Sequence, residues 1–167
     1  MLTGSFANAL HGTPRATQDI DLVIDADEQR LRSFVRSLPP DEYYVDEDAA
    51  LDAFRNESLF NVVDVQTGWK IDLIIRKTRP FSIEEFARRQ RVDLQGVSLP
   101  VATAEDTVVA KLEWAHAGGS TRQLEDAASI LRMRAAQLDV GRVERWVAAL
   151  GLEREWRAAR DLAALSS

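Results

Sequence analysis

Three aspartates are the residues of this chain whose type and spacing could carry chemistry. Asp19 and Asp21 stand two positions apart in an alternating run, residues 19–24, with Ile20 between them. Such alternation predicts a half-buried strand, and residues i and i+2 of a strand project from one face, with Cα atoms roughly 6.5–7 Å apart. Two like charges held there repel each other and lose hydration. A hard divalent cation such as Mg²⁺ would offset both effects, because it binds carboxylate oxygens.

The third aspartate, Asp72, interrupts a later apolar run. Three acids from two neighbouring strands could hold two metal ions about 3.5–4 Å apart, the spacing used for in-line displacement at phosphorus. The Gly4-Ser5 turn fits that chemistry, because glycine lets the backbone approach a ligand closely and N–H groups at the start of a helix suit phosphate oxygens. Arg15 and Thr17, just before the acidic strand, could meet the same phosphates.

The elements that position these residues follow from hydrophobic periodicity and from Gly and Pro punctuation. Strands are predicted at 19–24, in a hairpin of 59–66 and 69–76, and in a second hairpin of 91–94 and 97–101. Helices are predicted at 5–11, 27–38, 46–55, 104–117, 121–137, 140–150 and 152–164, with another short helix opened by a capping box of Ser82 and Glu85. This order predicts an α/β core, residues 1–101, followed by a helical region, residues 102–167.

Composition sets outer bounds on the function. The 167 residues contain 46% hydrophobic and 29% charged residues, which is ordinary for one globular domain or a small domain with a helical appendage. The chain has no cysteine, which excludes disulfides, thiolate zinc sites and cysteine nucleophiles. A net charge of −6 argues against nucleic-acid binding over the whole surface. The sequence shows neither a membrane-spanning run nor a signal-peptide pattern, so we expect a cytoplasmic protein without a membrane partner.

The motifs together resemble the nucleotidyltransferase superfamily of the polymerase β type. The resemblance is closer to the minimal nucleotidyltransferases related to abortive-infection toxins of type IV toxin–antitoxin systems. It is carried by Gly4-Ser5-Phe6-Ala7, Arg15-Ala16-Thr17-Gln18-Asp19-Ile20-Asp21, Gly68-Trp69-Lys70-Ile71-Asp72-Leu73, Glu105-Asp106 with Lys111-Leu112, and Arg122 with Asp126. The resemblance implies a mixed sheet flanked by helices, with the helical region closing over a nucleotide.

The resemblance also implies a reaction and the residues that perform it. A nucleoside monophosphate would move from a nucleoside triphosphate, such as ATP, to an acceptor hydroxyl, and pyrophosphate would leave. Asp19 and Asp21 would bind both of two Mg²⁺ ions, for which Mn²⁺ is the alternative. Asp72 would complete one metal site and help to deprotonate the acceptor. Ser5 would hold the distal phosphates, and Lys111 would contact the triphosphate or the acceptor.

The partners implied by the resemblance are the triphosphate, an acceptor that is RNA, protein or a small molecule, and a cognate antitoxin. Two other functions stay open: a degenerate relative that binds nucleotide or a partner without catalysis, and a metal-dependent phosphohydrolase or nuclease that uses the same acids. Individual residues also have simpler interpretations. Lys111 fits an exposed helical lysine, and Arg122 with Asp126 fits an i, i+4 ion pair.

Overall fold

The computed structural model describes residues 1–14 and 16–165, and they form two structural units. The first unit comprises residues 1–5 and 16–101, and the second comprises residues 6–14 and 102–165. The first helix, α1 (Gly4–His11), begins in the first unit, and most of its residues belong to the second.

The first unit contains the strands and three helices. In chain order these are β1 (Asp19–Ile24), α2 (Glu28–Ser37), β2 (Tyr43–Val45), α3 (Glu47–Arg55), β3 (Leu59–Asp64), β4 (Lys70–Ile75), α4 (Pro80–Arg88), β5 (Gln90–Leu94) and β6 (Val97–Val101). Strands β1–β4 form a mixed sheet of order β1-β4-β3-β2, in which β1 is parallel to β4 and the other pairs are antiparallel. The predicted mixed α/β fold is confirmed.

One face of the four-stranded sheet is apolar and packs against α2 and α3. Because side chains alternate along each strand, the apolar positions of β3 and β4 project to the same side as the inner faces of both helices. The resulting core consists of Leu31, Val35, Ala50, Ala53, Phe60, Val62, Leu73 and Ile75. The opposite face of the sheet carries the acidic positions of β1 and β4.

Local signals place most of the element boundaries in this unit. Asp27 and Asp46 cap α2 and α3, because their side chains accept hydrogen bonds from backbone N–H groups of the first helical turn. The turn between β5 and β6 is Gln95-Gly96, and both residues have positive φ, as a two-residue hairpin turn requires.

The predicted capping box at Ser82 is wrong. Helix α4 begins earlier, with Pro80 in its first turn. The Ser82 hydroxyl is buried and accepts a hydrogen bond from Arg79 Nε at 3.1 Å. Proline is favoured at the first helical position, because its missing N–H has no helical partner there.

Residues 1–3 line the edge of the sheet beside β1. Leu2 forms isolated bridges to Leu22 and to Val101. The Thr3 N–H donates to the Asp21 carbonyl oxygen at 3.0 Å. These bonds fix the backbone immediately before Gly4 with respect to the acidic strand.

The second unit is helical. Apart from most of α1, it contains α5 (Ala104–Gly118), α6 (Thr121–Arg134), α7 (Val140–Leu150) and α8 (Glu153–Leu165). Its interior holds apolar side chains and two buried ion pairs, Lys111 with Asp126 and Arg142 with Asp106. Among the described residues, none of the helices has both the length and the apolar character needed to cross a bilayer.

Candidate active site

The parallel pairing of β1 with β4 brings the three predicted acids to one sheet face. Asp21 lies directly beside Asp72, and Asp19 lies directly beside Lys70. Neighbouring strands are about 4.8 Å apart, so the Asp21 and Asp72 side chains leave the sheet next to each other. The Asp72 side chain is 14% exposed and that of Asp19 is 54% exposed. The acidic face therefore runs from the half-open edge at Asp19 to the more enclosed Asp72.

Lys70 lies between two of these carboxylates. Its Nζ is 3.2 Å from Asp72 Oδ2 and 3.7 Å from Asp19 Oδ1. The hydrogen bond to Asp72 raises the pKa of Lys70 above its ordinary value, and the charges of Asp72 and Asp19 contribute in the same direction. Lys70 was not among the predicted site residues, although its place two residues before Asp72 puts both side chains on one face of β4.

Asn61 holds the other oxygen of Asp72. It lies opposite Asp72 in the β3–β4 register, and its Nδ2 donates a hydrogen bond to Asp72 Oδ1. Both oxygens of this carboxylate therefore have partners on the sheet. Sequence analysis also missed Asn61, and no local pattern marks it, because its relation to Asp72 depends on the register of two strands.

The Gly4-Ser5 turn lies against Asp21. Gly4 has φ +60°, and a Cβ at this position would lie 1.8 Å from Asp21 Oδ2. The Ser5 N–H points to the same oxygen at 3.4 Å. Glycine is required here by both the backbone conformation and the lack of space. The turn and the acidic strand therefore form one continuous polar surface.

The remaining predicted nucleotide ligands lie in different settings. Thr17 Oγ1 accepts a hydrogen bond from the Asp19 N–H at 3.2 Å, which fixes the start of β1. Arg15 lies outside the described residues. Lys111 belongs to the second unit, where it is 4% exposed and its Nζ is 2.7 Å from Asp126 Oδ2. A contact between Lys111 and nucleotide would require this buried pair to open, and it stays a prediction.

The acidic face has the donor chemistry of a divalent-cation site. Three carboxylates share the face, and a cation, the Lys70 ammonium, already bridges Asp19 and Asp72. Positive charge is thus stabilised where the metal is expected, and carboxylates are the ligands that Mg²⁺ prefers. Within residues 1–14 and 16–165, however, no three Asp, Glu or His side chains are already grouped as metal ligands. Binding a metal at this face would require the Lys70 ammonium to leave Asp19 and Asp72.

Comparison with solved structures identifies the fold. An antigenic nucleotidyltransferase-like protein from Paracoccidioides brasiliensis superposes with a TM-score of 0.55 at 16% identity, covering 95% of this chain and 83% of that one. The fold is that of a nucleotidyltransferase. The antibiotic-resistance factor ANT(2'')-Ia gives a TM-score of 0.55 at 17% identity, covering 99% of this chain and 87% of that one. No protein-family model and no curated protein matches the sequence.

The nucleotidyltransferase-like fold expected from the motifs is thus confirmed. The closer relation to abortive-infection toxins stays a prediction, because the matching structures share only the general fold with this chain.

Proposed function

We propose that this protein is a metal-dependent nucleotidyltransferase, which moves a nucleoside monophosphate from a nucleoside triphosphate to an acceptor hydroxyl. The observation that supports this most strongly is the register of β1 against β4. It places Asp21 beside Asp72, with Asp19 on the same face. The Gly4-Ser5 turn adjoins Asp21, so the acidic side chains and a turn suited to binding phosphate lie on one surface.

In this proposal each residue has a distinct role. Asp19 and Asp21 would hold divalent cations, and Asp72 would complete one site and take the proton of the acceptor hydroxyl. The bound cation would neutralise charge on the phosphates during in-line displacement. Ser5 would hold the distal phosphates. Catalysis would rest on positioning and charge neutralisation, without a covalent protein intermediate.

The finer assignments belong to the same proposal. They are ATP or another triphosphate as donor, two Mg²⁺ or Mn²⁺ ions as cofactor, and RNA, protein or a small molecule as acceptor, with a cognate antitoxin as partner. They are supported by the resemblance of the motifs. Arg15, Thr17 and Lys111 are the further proposed nucleotide ligands.

The test is transfer of label from each of the four triphosphates, labelled at the α-phosphate, in the presence of Mg²⁺. Total RNA, the protein itself and small hydroxyl compounds serve as acceptors. Asp19→Asn, Asp21→Asn and Asp72→Asn should each abolish transfer, whereas Asp41→Asn, the same change at an exposed loop position, should not. Transfer that survives all three site substitutions would refute the proposal. Release of free monophosphate in place of labelled acceptor would establish a phosphohydrolase.

One observation favours a second candidate, a nucleotide-binding protein without catalysis. Both oxygens of Asp72 have partners, Asn61 and Lys70, so the residue expected to take a proton is already engaged. Calorimetric titration with each triphosphate and Mg²⁺ distinguishes the candidates. Binding that Asp21→Ala removes, without any transfer, would support this second candidate.

A further inference from the structure

Lys70 is the residue of the acidic face that the proposed function leaves without a role. Its Nζ lies 3.2 Å from Asp72 Oδ2 and 3.7 Å from Asp19 Oδ1, and its side chain is 40% exposed. We propose that Lys70 is a resident counter-ion, which competes with the divalent cation for Asp19 and Asp72 and is released to a phosphate when the nucleotide binds. This inference rests on the proposed metal-dependent function.

The competition follows from the space between the two carboxylates. Mg²⁺ binds carboxylate oxygens at about 2.0–2.1 Å, so a cation held by both Asp19 and Asp72 would need the space between them, which the Lys70 ammonium fills at 3.7 and 3.2 Å from their oxygens. An ammonium is a compact point charge with three donors, which suits it to this bridging position. Lys70 and a shared divalent cation therefore exclude each other sterically and repel each other electrostatically.

Release of Lys70 leaves the Asp72 carboxylate in place. Asn61 holds Asp72 Oδ1 from β3, independently of Lys70. The lysine has a flexible four-carbon stem and a side chain that is 40% exposed, so it can turn toward solvent without disturbing the core. When a triphosphate binds, its anionic oxygens can replace the carboxylates as partners of this ammonium. When metal binds without nucleotide, the displaced ammonium has no new anionic partner from the ligand.

Two quantities therefore depend on Lys70: the affinity of the protein for metal alone, and the gain in that affinity when nucleotide is present. The measurement is Mn²⁺ binding, by electron paramagnetic resonance and calorimetry, with and without a non-hydrolysable α,β-methylene analogue of ATP. Lys70→Met, which keeps the stem and removes the charge, should bind Mn²⁺ alone about tenfold more tightly than the wild type. The increase in Mn²⁺ affinity that the analogue causes should be about tenfold smaller in Lys70→Met than in the wild type.

Two further variants serve as controls. Lys77→Met makes the same change at an exposed lysine of the same unit, and it should bind Mn²⁺ as the wild type does. Lys70→Arg keeps the positive charge and should keep the weak binding of metal alone. If Lys70→Met does not fold, Lys70→Gln replaces it, with the same expectation and with folding checked by circular dichroism.

The outcomes separate this inference from the function on which it rests. Unchanged or weaker Mn²⁺ binding by Lys70→Met overturns the inference. The inference also fails if Lys70→Arg binds Mn²⁺ as tightly as Lys70→Met does. If Asp72→Asn still abolishes Mn²⁺ binding in that case, the metal-dependent function stands. If neither the wild type nor Lys70→Met binds Mn²⁺ at all, both the inference and the metal-dependent function fail.

Discussion

Substitution of Gly4 by alanine tests the contact that joins the turn to the acidic strand. Gly4 has φ +60°, and an added Cβ would lie 1.8 Å from Asp21 Oδ2 and 2.4 Å from Asp21 Cγ. The left-handed backbone conformation alone costs an alanine about 1–2 kcal/mol. The Asp21 side chain must also move and give up its contact with the Ser5 N–H, which adds about 1 kcal/mol. We expect the free energy of unfolding to fall by about 2–3 kcal/mol in total.

The assay is thermal unfolding of the metal-free protein, followed by circular dichroism. In a chain of this size, 1 kcal/mol corresponds to about 2–4 °C, so Gly4→Ala should lower the Tm by about 4–12 °C. Gly68→Ala is the matched control, because Gly68 has φ +72° and a Cβ there would meet no atom within 4 Å. It should show the backbone contribution alone, a fall of about 2–8 °C.

A second background separates the clash from the backbone effect. Asp21→Ala removes Cγ and Oδ2, the two nearest atoms, and leaves the Asp21 Cβ at 2.8 Å from the added group. In that background Gly4→Ala should lower the Tm less than it does in the wild type, although more than Gly68→Ala does, because the contact with Cβ remains short. If Gly4→Ala lowers the Tm equally in both backgrounds, the close approach of Gly4 to Asp21 is not what requires glycine.

Three further predictions concern stability. Burial lowers the pKa of His11 below its ordinary 6.5, so its stabilising contribution is complete above pH 6.5 and is lost as the pH falls below that value. The Tm of the wild type should therefore fall more than that of His11→Gln between about pH 7.5 and pH 5.5. Lys111→Met should lower the free energy of unfolding in urea by about 3–5 kcal/mol, because it leaves the buried Asp126 carboxylate without the Lys111 ammonium. The double variant Lys111→Met with Asp126→Leu should recover most of that loss. Gln95→Asn should raise the Tm by about 1–2 °C, because asparagine tolerates φ +55° better than glutamine does; an unchanged or lower Tm would count against the turn geometry.

Most helices and both hairpins could be predicted because their signals are local. The alternation of β1 and the Gly-containing turns each act within a few residues of the chain. Strand β2 (Tyr43–Val45) was missed, because three residues carry no periodic pattern and the strand is defined by its pairing with β3. The grouping of most of α1 with the second unit likewise depends on packing between segments that are distant in the chain.

The candidate site also has features that the sequence predicts and features that only the structure shows. The sequence by itself determined which residues could carry the chemistry, because carboxylates at i and i+2 on an apolar strand are costly without a compensating cation. It also indicated the Gly4-Ser5 turn. The structure alone decided that β1 pairs in parallel with β4, and this pairing places Asp72 beside Asp21 and Lys70 beside Asp19.

The difference has a physical origin. The spacing of residues along one strand is set by covalent geometry, which any sequence shows directly. The neighbour of a residue across the sheet is set by register, and a slip of one position would reverse which side chains share a face. Asn61 therefore acquires its relation to Asp72, and Lys70 its relation to Asp19, only in the folded sheet, where burial of one apolar face fixes the register.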